Sequence, residues 1–247
     1  MNSILITGID LGSRTTKICV LEDDRITYKV IFPTGHDPLT KIHEELKKLP
    51  ETPIMATGYG RHLICREFPR TQKMTEIKAC AIGAHKLHPE CRIILDVGGQ
   101  DCKVIESGEG GRINDFEMND RCAAGTGKFI EVMADTLHVT LDDFIGMALE
   151  AKRSVKISSM CTVFAESEVV SLITSGNPRE GIALGLHEAI AERLYSMISR
   201  FHISGDIIFV GGGAKNQCLV NLLRKKTGRK ITVPENPQLI AAFGAAL

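Results

Sequence analysis

Short apolar runs, separated by acidic or glycine-containing turns, dominate the first part of the chain. Three of these runs follow one another with only brief turns between them, which predicts a β-meander. Its strands are expected at residues 4–9, 15–21 and 26–32. The pattern then predicts a helix at 39–49, a strand at 53–57 and a small-residue helix at 74–87.

The pattern restarts near the middle of the chain. Residues 92–106 repeat the order strand, aspartate, glycine turn, strand, so that Asp96 and Gly98 correspond to Asp10 and Gly12. Such a weak repeat predicts two similar α/β lobes. Their expected bounds are 1–91 and 92–247, with the last helix packing back on the first lobe and a cleft between them.

The second lobe is expected to be richer in helices than the first. Apolar periodicity predicts helices at 126–137, 141–149, 162–175, 178–201, 214–227 and 237–247. Short strands are expected at 206–210 and 231–233.

The composition of the 247 residues is that of an ordinary globular protein, with 43% hydrophobic and 24% charged residues. The formal net charge is zero, so neither a nucleic-acid nor a membrane partner is expected. The N-terminus carries no basic leader, and no apolar run reaches the ~18 residues of a membrane span. We therefore expect a cytoplasmic protein.

Eight cysteines in a cytoplasmic chain argue against a disulfide framework. Cys122 and Cys161 differ from the rest because each precedes a predicted helix. Two thiols are half of the four thiolates that usually hold an iron–sulfur cluster, and a symmetric dimer would supply the other half. The other six are scattered, mostly among apolar residues, and are expected to be buried thiols: Cys19, Cys65, Cys80, Cys91, Cys102 and Cys218.

Glycine turns after three strands indicate a site for nucleotide phosphates. Backbone N–H groups can hold phosphate oxygens where no side chain intervenes. The turns contain Gly12, Gly98-Gly99 and Gly211-Gly212-Gly213. They match neither the dinucleotide-binding fingerprint nor a P-loop.

Polar side chains beside these turns extend the hypothesis. Ser13, Thr15 and Thr16 would add hydroxyl donors and Lys17 an ammonium group. Asp10 and Asp96 end apolar strands at the turns, and a carboxylate beside a polyphosphate is explained by Mg²⁺ bound through water.

The three turns, in this order and spacing, resemble those of the actin-like ATPase superfamily, which includes sugar kinases and Hsp70 chaperones. Further segments are similar to the 2-hydroxyacyl-CoA dehydratase activators and the ATPase subunits of benzoyl-CoA reductase, over nearly the whole chain. They are Ala56-Thr57-Gly58-Tyr59-Gly60-Arg61, Leu95-Asp96-Val97-Gly98-Gly99-Gln100-Asp101, Met118-Asn119-Asp120-Arg121-Cys122-Ala123-Ala124-Gly125-Thr126-Gly127 and Cys161-Thr162-Val163-Phe164-Ala165-Glu166-Ser167-Glu168.

The resemblance implies an α/β fold of two ribonuclease-H-like lobes, with mixed β-sheets flanked by helices. It implies a homodimer that hydrolyses ATP and injects one low-potential electron into a partner iron–sulfur acyl-CoA dehydratase or reductase. The electron would come from a [4Fe–4S] cluster at the dimer interface, held by Cys122 and Cys161 of each chain. A ferredoxin or flavodoxin would supply it.

Individual residues are expected to serve ATP, ADP and Mg²⁺. Gln100 or Asp101 is expected to orient the attacking water, with Asp10 as a further catalytic residue. Asp10 and Asp96 would hold Mg²⁺ through water. Nucleotide contacts are expected from Gly12, Ser13, Arg14, Thr15, Thr16, Lys17, Gly98, Gly99, Gln100, Asp101, Gly125, Thr126, Gly127, Gly211, Gly212, Gly213, Ala214, Asn216 and Gln238.

Two other classes compete with this interpretation. A small-molecule kinase of the same superfamily would leave Cys122 and Cys161 unexplained, and an actin-like assembly ATPase would need an additional segment. Glu166 and Glu168, in the helix after Cys161, are expected to face the helix dipole or an interface rather than to be catalytic. The eight scattered histidines are expected to have no catalytic or metal-binding role.

Overall fold

The computed structural model describes residues 4–159, 161–202 and 205–247. Met160, the residue before Cys161, lies outside them. The strands are β1 (Leu5–Leu11), β2 (Thr15–Glu22), β3 (Arg25–Pro33), β4 (Ile54–Thr57), β5 (Gln72–Lys73), β6 (Ile93–Val97), β7 (Cys102–Ser107), β8 (Ile113–Asn119), β9 (Ile207–Val210) and β10 (Ile231–Thr232). The α-helices are α1 (Pro38–Leu46), α2 (Arg61–Glu67), α3 (Glu76–Leu87), α4 (Gly127–Thr136), α5 (Leu141–Glu150), α6 (Thr162–Thr174), α7 (Arg179–Ile198), α8 (Gln217–Thr227) and α9 (Ile240–Ala246).

The strands form two five-stranded sheets, with orders β3-β2-β1-β4-β5 and β10-β9-β6-β7-β8. In the first sheet β1, β2 and β3 are antiparallel, as the predicted meander requires, while β4 is parallel to β1. The parallel register sets Asp10 beside Thr57 at the carboxyl ends of β1 and β4. Polar residues from two distant segments thereby meet at one sheet edge.

Three elements were not predicted: α2, β5 and β8. The β8 segment, Ile-Asn-Asp-Phe-Glu-Met-Asn, is too polar to stand out as a strand. It is an edge strand of the second sheet: one side of β8 pairs with β7, and its other side has no neighbouring strand in the sheet. Helix α2 and strand β5 are short, so they give little periodic signal.

Helix boundaries follow local capping. The prediction of α8 from residue 214 was early, because Asn216 caps the helix by accepting the Leu219 N–H at 3.1 Å. A one-turn 3-10 helix, Gly212–Lys215, precedes it, and Gly228 ends it in the left-handed conformation at φ 64°. The last segment likewise begins with a 3-10 turn, Pro237–Leu239, before α9.

The chain divides into two compact units. The first contains residues 1–94, 105–115 and 234–247, and the second contains 95–104 and 116–233. In the first unit, α9 packs against α3 and against β1 and β2, where Ala242 and Phe243 join Cys19 and Leu21 in one apolar cluster. In the second unit, α5 packs against α7 and α8, and α4 packs against α6.

No helix in the described ranges is long and apolar enough to span a membrane.

Candidate nucleotide and metal site

The first glycine turn joins β1 to β2 tightly. The Gly12 N–H donates to the Thr15 carbonyl oxygen at 3.2 Å. The Thr34 hydroxyl donates to the Gly12 carbonyl oxygen at 2.8 Å and lies 3.1 Å from the Thr16 hydroxyl. Thr16 is therefore engaged inside the turn, whereas Ser13 and Arg14 are exposed.

Asp10 is buried at the end of β1. Lys17 Nζ donates to Asp10 Oδ2 at 2.9 Å, so the predicted phosphate lysine is paired with the predicted metal-binding aspartate. Asp10 Oδ1 is buried and has no hydrogen-bond partner among the described residues. A buried acceptor of this kind fits a bound cation or its water, because an unsatisfied carboxylate oxygen is unfavourable.

Gly58 closes this site from the loop after β4. Its φ is +82°, and a Cβ there would overlap Asp10 Oδ1 and the Leu11 carbonyl oxygen. Gly60, two residues later, donates its N–H to the Leu11 carbonyl oxygen at 2.9 Å. In the sequence these glycines belong to a segment that resembles the family, and no place at the site was expected for them. The parallel β1–β4 pairing brings them there.

The second turn repeats the first in detail. The Gly98 N–H donates to the Asp101 carbonyl oxygen at 2.9 Å. Lys103 follows Asp96 at the seven-residue spacing that separates Lys17 from Asp10. The predicted duplication thus extends to a lysine that was not predicted, although the register of the repeat identifies it.

Lys103 is buried, and its side chain is only 2% exposed. Its Nζ lies 2.9 Å from Asp101 Oδ2 and 3.4 Å from Asp96 Oδ2. Both predicted functional carboxylates of this turn therefore face one buried ammonium group. Such a pairing offsets the cost of removing these charges from water. Gln100, the other predicted catalytic residue of this turn, is exposed.

The third turn packs on the second. Gly211 has φ +80°, and a Cβ there would lie 2.5 Å from Asp96 Oδ1 and would overlap the Val97 carbonyl oxygen. Gly213 is buried against the Val97 side chain. Gly211 and Gly213 are thus needed for contact between two turns of the same unit, and Ala214 is buried beside them.

Asn216, expected to contact nucleotide, is buried and uses its side chain within the fold. Besides capping α8, its amide lies 2.9 Å from His187 Nε2, and His187 Nδ1 lies 2.7 Å from the Ala183 carbonyl oxygen. Burial lowers the pKa of His187 to about 4, so the ring is neutral at pH 7. A neutral ring can donate at Nδ1 and accept at Nε2, which satisfies all three groups.

The segment 125–127 leads into α4 and is hydrogen-bonded to the second turn. Thr126 is the buried N-cap residue of α4 and its hydroxyl donates to the Ala123 carbonyl oxygen at 2.7 Å. The N–H groups of Gly127 and Lys128 donate to the carbonyl oxygens of Gly98 and Gly99 at 2.9 and 2.8 Å. The first turn of α4 is therefore bonded directly to the glycine turn.

Cys122 and Cys161 are exposed in the second unit. Cys161 is the N-cap residue of α6. Cys122 does not lie directly at a helix start; it lies in the loop before Thr126, and Asn119 Nδ2 holds this loop by donating to the Cys122 and Ala124 carbonyl oxygens at 2.9 and 3.1 Å.

The remaining cysteines are buried, apart from half-buried Cys65. Burial raises the pKa of Cys19 to about 12 and those of Cys102 and Cys218 to about 11, which keeps these thiols protonated. Within residues 4–159, 161–202 and 205–247, no group of three or more potential ligands is arranged around a metal position. The exposed donor set of one chain is thus two thiols, which fits half of a four-thiolate cluster.

The remaining predicted contact, Gln238, is half-buried in the 3-10 turn before α9 and belongs to the first unit together with residues 10–17. The other predicted site residues belong to the second unit.

Known proteins resemble this chain over nearly its full length. It is 40% identical over 250 residues to the activator of lactoyl-CoA dehydratase from Anaerotignum propionicum, covering 97% of this chain and 95% of that protein. The crystal structure of (R)-2-hydroxyglutaryl-CoA dehydratase component A from Acidaminococcus fermentans has a TM-score of 0.91 at 36% identity, covering 98% of this chain and 96% of that one. The activator of 2-hydroxyisocaproyl-CoA dehydratase from Clostridium difficile with bound ADPNP has a TM-score of 0.90 at 34% identity, covering 98% and 93%.

These similarities confirm both the resemblance drawn from the sequence segments and the expected fold of two sheet-containing lobes flanked by helices. Residues 7–247 match one family model, so the chain belongs to the BadF/BadG/BcrA/BcrD ATPase family.

Proposed function

We propose that this protein is an ATP-dependent activator that hydrolyses ATP to inject a low-potential electron into a partner iron–sulfur acyl-CoA dehydratase or reductase. The observation that carries the proposal is a pairing within one unit. The second unit contains both the exposed residues Cys122 and Cys161 and the Gly98-Gly99 turn. This turn is hydrogen-bonded to α4, the helix after Cys122. The names of the relatives, as activators of acyl-CoA dehydratases, support the same role.

Nucleotide binding is assigned to the duplicated turns. Asp10 Oδ1 offers a buried acceptor for Mg²⁺ or its water, and Gly12 and Gly58 keep side-chain atoms out of the space beside it. In the second unit Lys103 holds Asp96 and Asp101 beside the Gly98-Gly99 turn. The bound ADPNP of the Clostridium difficile activator supports ATP as the ligand class.

A [4Fe–4S] cluster supplies transfer of one electron at low potential when it is bound. Cys122 and Cys161 are the residues of this chain that would hold it, together with the same pair from a second chain. Cys161 is the N-cap residue of α6, so the positive end of that helix would favour the negative charge of a bound cluster. A ferredoxin or flavodoxin remains the proposed electron donor.

Coupling between nucleotide and cysteines is assigned to the start of α4. A shift of the Gly98-Gly99 turn must move the Gly127 and Lys128 amides or break their hydrogen bonds. The Cys122 loop ends at the N-cap of the same helix, and Asn119 ties it to β8. Nucleotide state would thereby bias the position of Cys122, and by linkage the loop would bias nucleotide affinity.

Anaerobic purification tests the proposal directly. The expected product is a brown dimer with about four iron atoms per two chains and broad absorption near the blue. The rate of iron loss to a chelator should differ between ATP, ADP and no nucleotide. A colourless protein after reconstitution, or a chelation rate that ignores nucleotide both alone and with a partner enzyme, would refute the activator role.

The alternative of a small-molecule kinase is not favoured. It gives no role to two exposed cysteines in the same unit as the glycine turn. A metal-free protein that phosphorylates a sugar or an acid would instead support the kinase alternative.

A further inference from the structure

The chain just before Cys161 is tied back onto the helix just after it. Glu168 Oε1 accepts the Ser158 N–H and the Ser158 hydroxyl, each at 2.8 Å. Glu168 Oε2 accepts the Ser159 N–H at 2.9 Å. One carboxylate therefore receives three hydrogen bonds from two consecutive residues.

The placement of Glu168 makes this contact a clamp on Cys161. Glu168 lies on α6, about two turns or ~10 Å along the helix from its N-cap residue, Cys161. Ser158 and Ser159 precede Cys161 in the sequence, whereas Glu168 follows it. The carboxylate thereby ties together two described segments that flank Cys161 in the sequence.

The charge of Glu168 belongs to the clamp. Burial by itself would raise the pKa of Glu168, but the hydrogen bonds from Ser158 and Ser159 outweigh burial and hold the pKa below its usual value. The group is thus a carboxylate at neutral pH. Hydrogen bonds to an ionised acceptor are about twice as strong as neutral ones, so the loop is firmly held.

The neighbouring glutamate on the helix has no such contact. Glu166 is exposed, and its carboxylate accepts no hydrogen bond from the described residues. It carries the same charge on the same helix, closer to Cys161 in sequence. Glu166 therefore separates the effect of a nearby negative charge from the effect of the clamp.

We propose that Glu168 is a positioning residue that holds Cys161 in the geometry of a cluster ligand. The inference rests on the proposed function for the identity of the bound group. The clamp itself is a property of the chain without any ligand. From the sequence, Glu168 is expected only to face the helix dipole or an interface.

The first test uses the metal-free protein. In Glu168→Gln, an amide N–H₂ must face a backbone N–H, so at least one of the two backbone hydrogen bonds is lost. Hydrogen exchange at Ser158 and Ser159 should become at least about tenfold faster. Alkylation of Cys161 by iodoacetamide, followed by mass spectrometry in the Cys122→Ser background, should change by several fold. Glu166→Gln should leave both rates unchanged.

Glu168→Asp separates reach from charge. The shorter side chain keeps the carboxylate but withdraws it by about one C–C bond, ~1.5 Å. We expect it to behave like Glu168→Gln in both exchange and alkylation. If Glu168→Asp behaved like the wild type, or if Glu166→Gln matched Glu168→Gln, charge alone would explain the effect and positioning would be wrong.

The second test uses the iron-loaded dimer, with each variant reconstituted alike. Iron release to a chelator should be about tenfold faster in Glu168→Gln than in Glu166→Gln, and the reduction potential should move only in the former. Equal rates and potentials in iron-loaded wild type and Glu168→Gln would overturn the inference. A wild type that binds no iron would instead overturn the proposed function, and the exchange result on the clamp would stand.

Discussion

At the scale of single residues, Asp10 combines two features that are seldom found together. One oxygen is paired with Lys17, and the other is buried without a hydrogen-bond partner among the described residues. We expect Asp10→Asn to lower Mg-dependent ATP hydrolysis roughly 100-fold, because it removes the charge that would face the proposed cation. Phosphate release measures this. Asp135→Asn, an exposed change on α4, is the matched control, and an undiminished rate in Asp10→Asn would exclude Asp10 from the site.

His187 makes stability depend on pH. The unfolded chain binds a proton at this residue below pH ~6.5, whereas the folded chain does so only near pH 4, because burial disfavours the charged ring. The free energy of unfolding should therefore be constant above pH ~6.5 and fall as the pH is lowered towards 4, by roughly 3 kcal/mol in total from this group. Urea denaturation at several pH values should show a shallower fall in His187→Gln. Parallel curves for the two proteins would contradict the assignment.

At the scale of elements, the contact between α4 and the glycine turn depends on Gly127. A Cβ there would lie 3.1 Å from the Gly98 carbonyl oxygen and 3.4 Å from the Gly99 Cα, so the helix or the turn must shift. We expect Gly127→Ala to raise the KM for ATP several-fold and to reduce the difference in chelation rate between ATP and ADP.

Gly146→Ala is the matched control for this change. Gly146 lies on α5 with open space around its missing Cβ, so the substitution should leave nucleotide behaviour intact and stabilise the helix by about 0.5–1 kcal/mol. If Gly127→Ala retained the wild-type KM and nucleotide response, the start of α4 would not carry the coupling.

The packing of α9 on α3 depends on two facing glycines. A Cβ on Gly244 would overlap the Ala79 carbonyl oxygen and lie 2.6 Å from the Gly83 N. Gly244→Ala should therefore lower the free energy of unfolding by about 1–3 kcal/mol, as overpacking does. Urea unfolding, with Gly146→Ala again as the control, measures it. An unchanged midpoint would mean that α9 can withdraw from α3 without loss.

At the scale of the whole molecule, the two exposed cysteines predict an assembly. Because one chain offers two exposed thiols and a cluster takes four, Cys122→Ser or Cys161→Ser should remove most of the iron and weaken the dimer. Iron analysis and analytical ultracentrifugation of anaerobic protein check this. Cys65→Ser, at a half-buried position, should keep both iron and dimer. Full iron content in a monomeric Cys122→Ser variant would contradict a shared cluster.

The sequence by itself determined what depends on neighbours along the chain. The meander, the duplicated Asp10 and Asp96 turns and most helices follow from local periodicity, glycine turns and caps. Cys122 and Cys161 stood out because each precedes a predicted helix, whereas the other cysteines lie mostly among apolar residues. Hydrophobic periodicity and turn chemistry depend on residues that are close in the sequence, so they can be recognised without knowledge of the fold.

Tertiary structure alone decided which distant groups meet. Gly58 reaches Asp10 through the parallel β1–β4 pairing, and β8 exists only because an edge of the second sheet accepts it. Glu168 becomes a clamp only when the loop before Cys161 folds back onto α6. Hydrogen bonds and ion pairs require atoms about 3 Å apart. Separation along the chain does not determine such distances, because they are set by packing between elements.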